Sequence, residues 1–185
     1  MLVLASASPR RQELLRNAGI EFVVQPANVP EVPGRSELPR AYAERLAREK
    51  AQAIFRQWPD DFVLGADTVV VIEQEILEKP SDANDAARML RMLSGRRHEV
   101  ITGVCLVGRG SEEVGSEITQ VTFSPLTDGD IRFYVASREP MDKAGAYGIQ
   151  GMASRWITRI EGDYSNVVGL PVALVWRMLR EQEMV

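Results

Sequence analysis

Four segments of the chain gather side chains that could act on a phosphorylated ligand. In Ser6-Ala7-Ser8-Pro9-Arg10-Arg11, two hydroxyls and two guanidiniums stand where a helix begins. The free N–H groups of a helix start, together with forked arginine donors, are the components of an anion site; a capped helix with solvated arginines is the plainer alternative. The Gly-x-x-x-x-Gly-Lys-Ser/Thr pattern of a Walker loop is absent. Gly65-Ala66-Asp67-Thr68 places an acid inside the most apolar stretch of the chain, where it is costly unless paired or bound to a cation. Asp67 is therefore a base, a metal ligand or a structural cap. Lys50 and Lys79 are compact charges suited to a polyphosphate, although most lysines are simply solvated. Asp142-Lys143-Ala144-Gly145-Ala146-Tyr147-Gly148-Ile149-Gln150-Gly151 combines three glycines, which let a backbone approach a flat ligand, with an amide at Gln150 that could read an edge. It also reads as a glycine-rich turn between strands. Tyr164-Ser165-Asn166-Val167-Val168-Gly169-Leu170-Pro171 reads as a polar loop before a helix.

The elements that must position these residues follow from periodicity. Met1 to Ala5 predicts a strand, and Ser8 as N-cap with Pro9 behind it predicts a helix that stops at Gly19. Glu21 to Gln25 reads as a strand, the proline-rich Pro26 to Ser36 as an irregular loop, and Leu38 to Gln57 as an amphipathic helix. Phe62 to Ile72 reads as a buried strand entering and leaving a special turn at Gly65 to Thr68, with a short return strand at Glu75 to Leu77. Ser81 or Asp82 caps a helix ending at Ser94-Gly95. His98 to Val107 and Glu112 to Phe123 predict paired strands joined at Gly108-Arg109-Gly110. Thr127 precedes a helix to Ala136, Ala146 to Ile160 should supply strands, and Pro171 opens a helix to Arg180. This alternation predicts an α/β protein with a mixed sheet flanked by helices. His98 is expected at the surface and Cys105 in the core, with Trp58, Trp156 and Trp176 serving packing.

Composition sets the outer bounds. At 185 residues, 45% of them hydrophobic, one domain spanning residues 1–185 is expected, with or without a division into two lobes, and disorder, collagen and coiled coil are excluded. No apolar run is long enough to span a bilayer, and Leu2 to Ala5 meets arginines within a few residues, so neither membrane insertion nor secretion is expected. A lone cysteine fits a reducing cytoplasm, and a lone histidine disfavours zinc. With 26 acidic against 22 basic residues, the net charge of -4 does not favour a nucleic-acid backbone.

Taken in order, Leu4 to Arg11, Leu46 to Ala51, Gly65 to Val70, Glu78-Lys79-Pro80, Leu93-Ser94-Gly95, Asp142 to Gly151 and Ser165 to Pro171 resemble the Maf family of nucleoside triphosphate pyrophosphatases over almost the whole chain. The resemblance implies a mixed-sheet α/β fold with two lobes around a central groove, related in shape to inosine triphosphate pyrophosphatases. It implies hydrolysis between the α and β phosphates of a nucleoside triphosphate, a divalent cation such as Mg²⁺ or Mn²⁺, and a homodimer. By the same resemblance Asp67 is the proton acceptor or a metal ligand, with Lys50 and Lys79 beside it in catalysis. Ser6 and Arg11 bind the triphosphate, and Glu31 lies near the metal. Arg10, Thr68 and Gln150 match the specificity positions of the branch acting on dTTP and UTP. The branch acting on 7-methylguanosine triphosphate has tryptophan, histidine and glutamate there. A glutamine amide both donates and accepts, as a uracil-type edge requires, whereas glutamate only accepts. The competing expectations are a 7-methyl-GTP or broad modified-nucleotide pyrophosphatase, a nucleotide-binding regulator of septum formation, and, more distantly, a nucleic-acid-binding module.

Overall fold

The computed structural model describes residues 1–108 and 110–185, which divide into two units: Met1–Thr68, Thr102–Glu117 and Gly169–Val185 form the first, Val69–Ile101 and Ile118–Val168 the second. In chain order the elements are β1 (Leu2–Leu4), α1 (Pro9–Asn17), β2 (Val23–Val24), α2 (Pro39–Phe55), β3 (Phe62–Ile72) and β4 (Glu75–Leu77). They continue with α3 (Ala83–Leu93), β5 (Arg97–Gly108), β6 (Ser111–Phe123), α4 (Asp128–Ala136), β7 (Ile157–Glu161), α5 (Tyr164–Val168) and α6 (Val172–Glu181). The described strands form a seven-stranded sheet in the order β2-β1-β3-β5-β6-β7, with β4 paired to β3. β1 runs parallel to β2 and β3, while β4 and β7 run antiparallel to their neighbours, so the sheet is mixed as expected.

In the first unit the alternation of β1 is divided between two buried faces. Leu2 and Leu4 join Leu64 and Leu106 under Leu15 of α1 and Val175, Met178 and Leu179 of α6. Val3 and Ala5 join Val63 and Cys105 under Ala47, Ala51 and Ile54 of α2. Burial on both faces explains why these strands read as nearly continuous apolar runs. The second unit has its own core, built from Val70, Ile72 and Leu77, the Ala86, Met89, Leu90 and Leu93 face of α3, and Phe123, Tyr134, Tyr147 and Trp156.

The helix ends expected from sequence are largely present. Asp82 caps α3 by accepting from the Asp85 N–H at 2.8 Å, and Thr127 and Asp130 form a reciprocal capping box on α4. Five expectations are corrected. β3 is continuous through Gly65 to Thr68, and its turn comes later, at Glu73 and Gln74, whose φ angles of 50° and 67° suit a tight hairpin. Residues Ala146 to Ile160 form 3₁₀ turns, at Ala144–Ala146 and Met152–Trp156, before the one strand β7. Tyr164–Val168 is a short helix rather than a loop, begun by Asp163, whose carboxylate accepts from the Ser165 N–H at 2.7 Å. Trp176 is 40% exposed and is not a packing residue. Of the expected joint Gly108-Arg109-Gly110, Arg109 lies outside the described residues.

The fifth correction is His98, which is 2% exposed rather than at the surface. Its Nε2 shares a 2.7 Å hydrogen bond with the Tyr147 hydroxyl, and its ring stands edge-on to Phe123 and Tyr147. Burial alone holds its pKa down to about 4. The unfolded chain takes up a proton below about pH 6.5 and the folded chain only near pH 4, so stability rises with pH across that window. Acidifying from pH 7 to 5 should remove about 2 kcal/mol through this residue. Urea denaturation at the two pH values should show that loss in the wild type and a distinctly smaller one in His98→Phe; equal losses would exclude His98 as the source.

Candidate functional site

The geometry starts from the register of β1 on β3. Leu4 lies opposite Leu64 and the Ala5 N–H donates to Leu64 O at 2.8 Å, so Ser6 leaves β1 at the level where β3 approaches Asp67. This is the carboxyl end of β1 and of the stretch of β3 paired parallel with it, a usual place for ligands in such sheets. Ser8 holds the N-cap position of α1 without a side-chain capping bond; instead its own N–H donates to Ser6 Oγ at 3.3 Å.

Arg11 is braced by three groups of the same unit. Its Nη1 donates to Ser6 Oγ at 3.0 Å, its Nη2 to Thr68 Oγ1 at 3.1 Å and its Nε to Gly169 O at 2.8 Å. One N–H remains on each terminal nitrogen. Burial lowers its pKa, and the nearby Asp67 opposes that shift. Arg10, half-buried, adds a like charge that also lowers it. Thr68 hydrogen-bonds in addition to Thr102 Oγ1 at 2.9 Å. Thr102, fully buried, joins the group although its position in the sequence gives it no expected role, and Gly169 comes from the Tyr164 to Pro171 segment without having been assigned one. A hydroxyl amid the apolar run Val100 to Val107 was the available signal, of the same kind as Asp67 in β3.

The second cluster depends on how closely α2 lies on the sheet. A Cβ at Gly65 would overlap Ala47 O and stand 2.8 Å from Ala51 N, and one at Gly103 would overlap the backbone of Ala43. The row Ala43, Ala47 and Ala51 of α2 thus rests directly on two glycines of β3 and β5. Lys50, next to Ala51, is thereby brought over Asp67, with Nζ 2.6 Å from Asp67 Oδ1 and 2.6 Å from Glu31 Oε1 of the proline-rich loop. Lys50 and Asp67 are 8% and 7% exposed, while the Glu31 side chain is 39% exposed. Burial pushes the Asp67 carboxyl above the usual range; Lys50 and then Arg11 pull it back, and Glu31 adds to the rise. The result is an acid held near two cations in one unit, an arrangement able to accept a proton beside bound phosphate.

Of the expected site residues, Ser6, Arg11 and Thr68 are joined in one hydrogen-bonded group, and Glu31, Lys50 and Asp67 in another. Adjacency of Asp67 and Thr68 links the two groups. Lys79 and Gln150 belong to the second unit. Lys79 is exposed after β4, and Gln150 is exposed in the turn that the Gly151 N–H closes on Gly148 O at 3.2 Å.

The mixed α/β fold matches that of the Staphylococcus aureus Ham1 protein over 98% of both chains, with a TM-score of 0.53 at 14% identity. Residues 1–182 match the Maf-like protein family, and the chain belongs to it. It is 62% identical to a dTTP/UTP pyrophosphatase of Koribacter versatilis, over 97% of this chain and 93% of that protein. To a dTTP/UTP pyrophosphatase of Symbiobacterium thermophilum it is 54% identical, again over 97% of this chain and 93% of the other.

Proposed function

We propose that the chain hydrolyses the α–β anhydride of dTTP and UTP, releasing pyrophosphate and a nucleoside monophosphate, and so clears such nucleotides from the pool. The observation that carries the reading is the buried Asp67 carboxylate between the cations Lys50 and Arg11. The names of relatives at 62% and 54% identity support the substrate class. Asp67 accepts a proton from the attacking water. Lys50 keeps the carboxylate ionised while burial makes it more basic than an exposed acid. Arg11, with Ser6 beside it, has N–H donors left for phosphate oxygens, where cationic groups stabilise charge gathering on the leaving pyrophosphate.

A divalent cation fits these residues on one observation: Glu31 and Asp67 converge on a single point, now filled by the Lys50 ammonium. No group of three or more His, Cys, Asp or Glu side chains converges among the described residues. Two carboxylates completed by phosphate and water suit Mg²⁺. Glu31 and Asp67 would hold it, and when bound it would neutralise charge on the phosphate oxygens.

Base selection is assigned by family resemblance to Arg10, Thr68 and Gln150, and Lys79 is assigned by it to the leaving-group charge. The Thr68 hydroxyl bonds Arg11 and Thr102, so it also helps to hold Arg11. Gln150 supplies the donor and acceptor of one amide. Pyrophosphate release from dTTP, UTP, CTP, GTP and 7-methyl-GTP with Mg²⁺ or Mn²⁺ tests the reading. dTTP and UTP should be preferred, and Gln150→Glu should lower their kcat/KM by roughly tenfold to a hundredfold, the effect of losing one amide donor. Faster turnover of 7-methyl-GTP by the wild type would overturn the substrate assignment. Tight nucleotide binding without turnover would point to a regulator.

A further inference from the structure

Gln150 stands in a turn whose two ends are tied to one pair of side chains. The Gly148 N–H donates to the Tyr134 hydroxyl at 3.3 Å, and the Met152 N–H donates to Glu139 Oε1 at 3.0 Å and Oε2 at 3.3 Å. The pair is itself closed, because the Tyr134 hydroxyl donates to Glu139 Oε1 at 3.0 Å. Both residues are well anchored. Tyr134 is fully buried at the end of α4 and lies edge-on to Trp156. Glu139 follows Arg138, a non-glycine residue with φ 65°, in a 3₁₀ turn (Glu139–Asp142); its N–H donates to Ser137 Oγ at 3.2 Å and its carbonyl accepts from Lys143 Nζ at 2.6 Å. A left-handed arginine is a cost the chain bears to aim the next side chain. Gly151 completes the fit, since a Cβ there would overlap Glu139 Oε1. Any side chain at 151 must displace the carboxylate.

We propose that Glu139, through Tyr134 and the N–H groups of Gly148 and Met152, is a positioning residue for base selection: it fixes the turn that presents Gln150. This rests on the functional reading of Gln150 given above. Neither Glu139 nor Tyr134 needs to touch substrate. A fixed amide orientation matters because selection by hydrogen bonding depends on placing donor and acceptor before the base arrives.

The test compares wild type with Glu139→Ala, Glu139→Gln and Gly151→Ala. Glu139→Gln keeps a carbonyl oxygen that accepts from both Met152 N–H and Tyr134, and Gly151→Ala displaces the carboxylate without changing the residue at 139. Amide hydrogen exchange at Gly148 and Met152 reads the clamp without any substrate, and steady-state kinetics on dTTP and GTP read its consequence. Exchange should quicken in Glu139→Ala and Gly151→Ala. In both, KM for dTTP should rise roughly tenfold or more and the preference for dTTP over GTP should fall similarly, with kcat within about threefold. Glu139→Gln should restore most of each effect. Unchanged exchange in both variants overturns the clamp. Faster exchange with KM and preference unchanged overturns its link to base selection, as does a loss of kcat that merely follows the folded fraction. If wild type hydrolyses neither dTTP nor UTP, the proposed function fails and the link to selection with it, while exchange still decides the clamp.

Discussion

Asp67→Asn is expected to lower kcat for dTTP and UTP by roughly 10²- to 10⁴-fold, the usual contribution of a positioned general base. The substitution is close to isosteric, so it tests charge rather than volume at a site that is 7% exposed. An asparagine oxygen can still accept from Lys50 Nζ, and Glu31 remains to balance the ammonium. Folding should therefore survive, and circular dichroism checks this before the kinetics are read. The pH profile supplies a second readout. A base must be deprotonated to act, so kcat/KM should fall as pH drops through the Asp67 pKa. That limb should lie above the usual carboxylate range, because burial raises the group. In Asp67→Asn the residual rate should lose this acid limb. A variant that kept a third or more of its turnover and the same acid limb would remove Asp67 from proton transfer and leave it as the partner that makes burying Lys50 possible.

How much of this arrangement was legible in the sequence depends on whether the controlling interaction was local. The helix that follows Thr127, the cap of α3 at Ser81 or Asp82 and the short apolar strand β1 depend on neighbours a few residues apart, and all three are present, the cap at Asp82. Asp67 was conspicuous because an acid in an apolar strand needs a partner; Lys50 came from a separate element, and only the fold could pair them. His98 was misjudged from its charged neighbours Arg97 and Glu99. The period of two along β5 carries the better signal, since His98 shares its parity with Val100 and Thr102, both buried. The 3₁₀ turns between Ala144 and Trp156 escaped notice because short i to i+3 bonds leave no periodic apolar trace. Gly65 was read as a turn residue. In a strand interior, glycine also marks close approach of another backbone, and that is its role here.

Gly65→Ala should accordingly be, with Gly103→Ala, among the most damaging methyl additions in the first unit. The new Cβ would meet the Ala47 carbonyl and the Ala51 N–H, which are backbone atoms of a helix and cannot swing aside as a side-chain tip can. The expected cost is about 3 kcal/mol, the upper end for overpacking, and relief requires α2 to lift from β3. Lifting α2 also withdraws Lys50 from Asp67, so turnover should fall even when corrected for the folded fraction. Gly19→Ala separates this steric effect from backbone strain. Gly19 has φ 70° and nothing within 4 Å of its would-be Cβ, so alanine there should cost only about 1 kcal/mol and leave turnover unchanged. Thermal denaturation and dTTP hydrolysis of the two variants, side by side, make the comparison. If Gly65→Ala were as stable and as active as Gly19→Ala, the distance between α2 and β3 would not be what places the ammonium. If both stability and turnover fall at Gly65 alone, the bare backbone of a strand is as much a condition for catalysis as the lysine it lets approach.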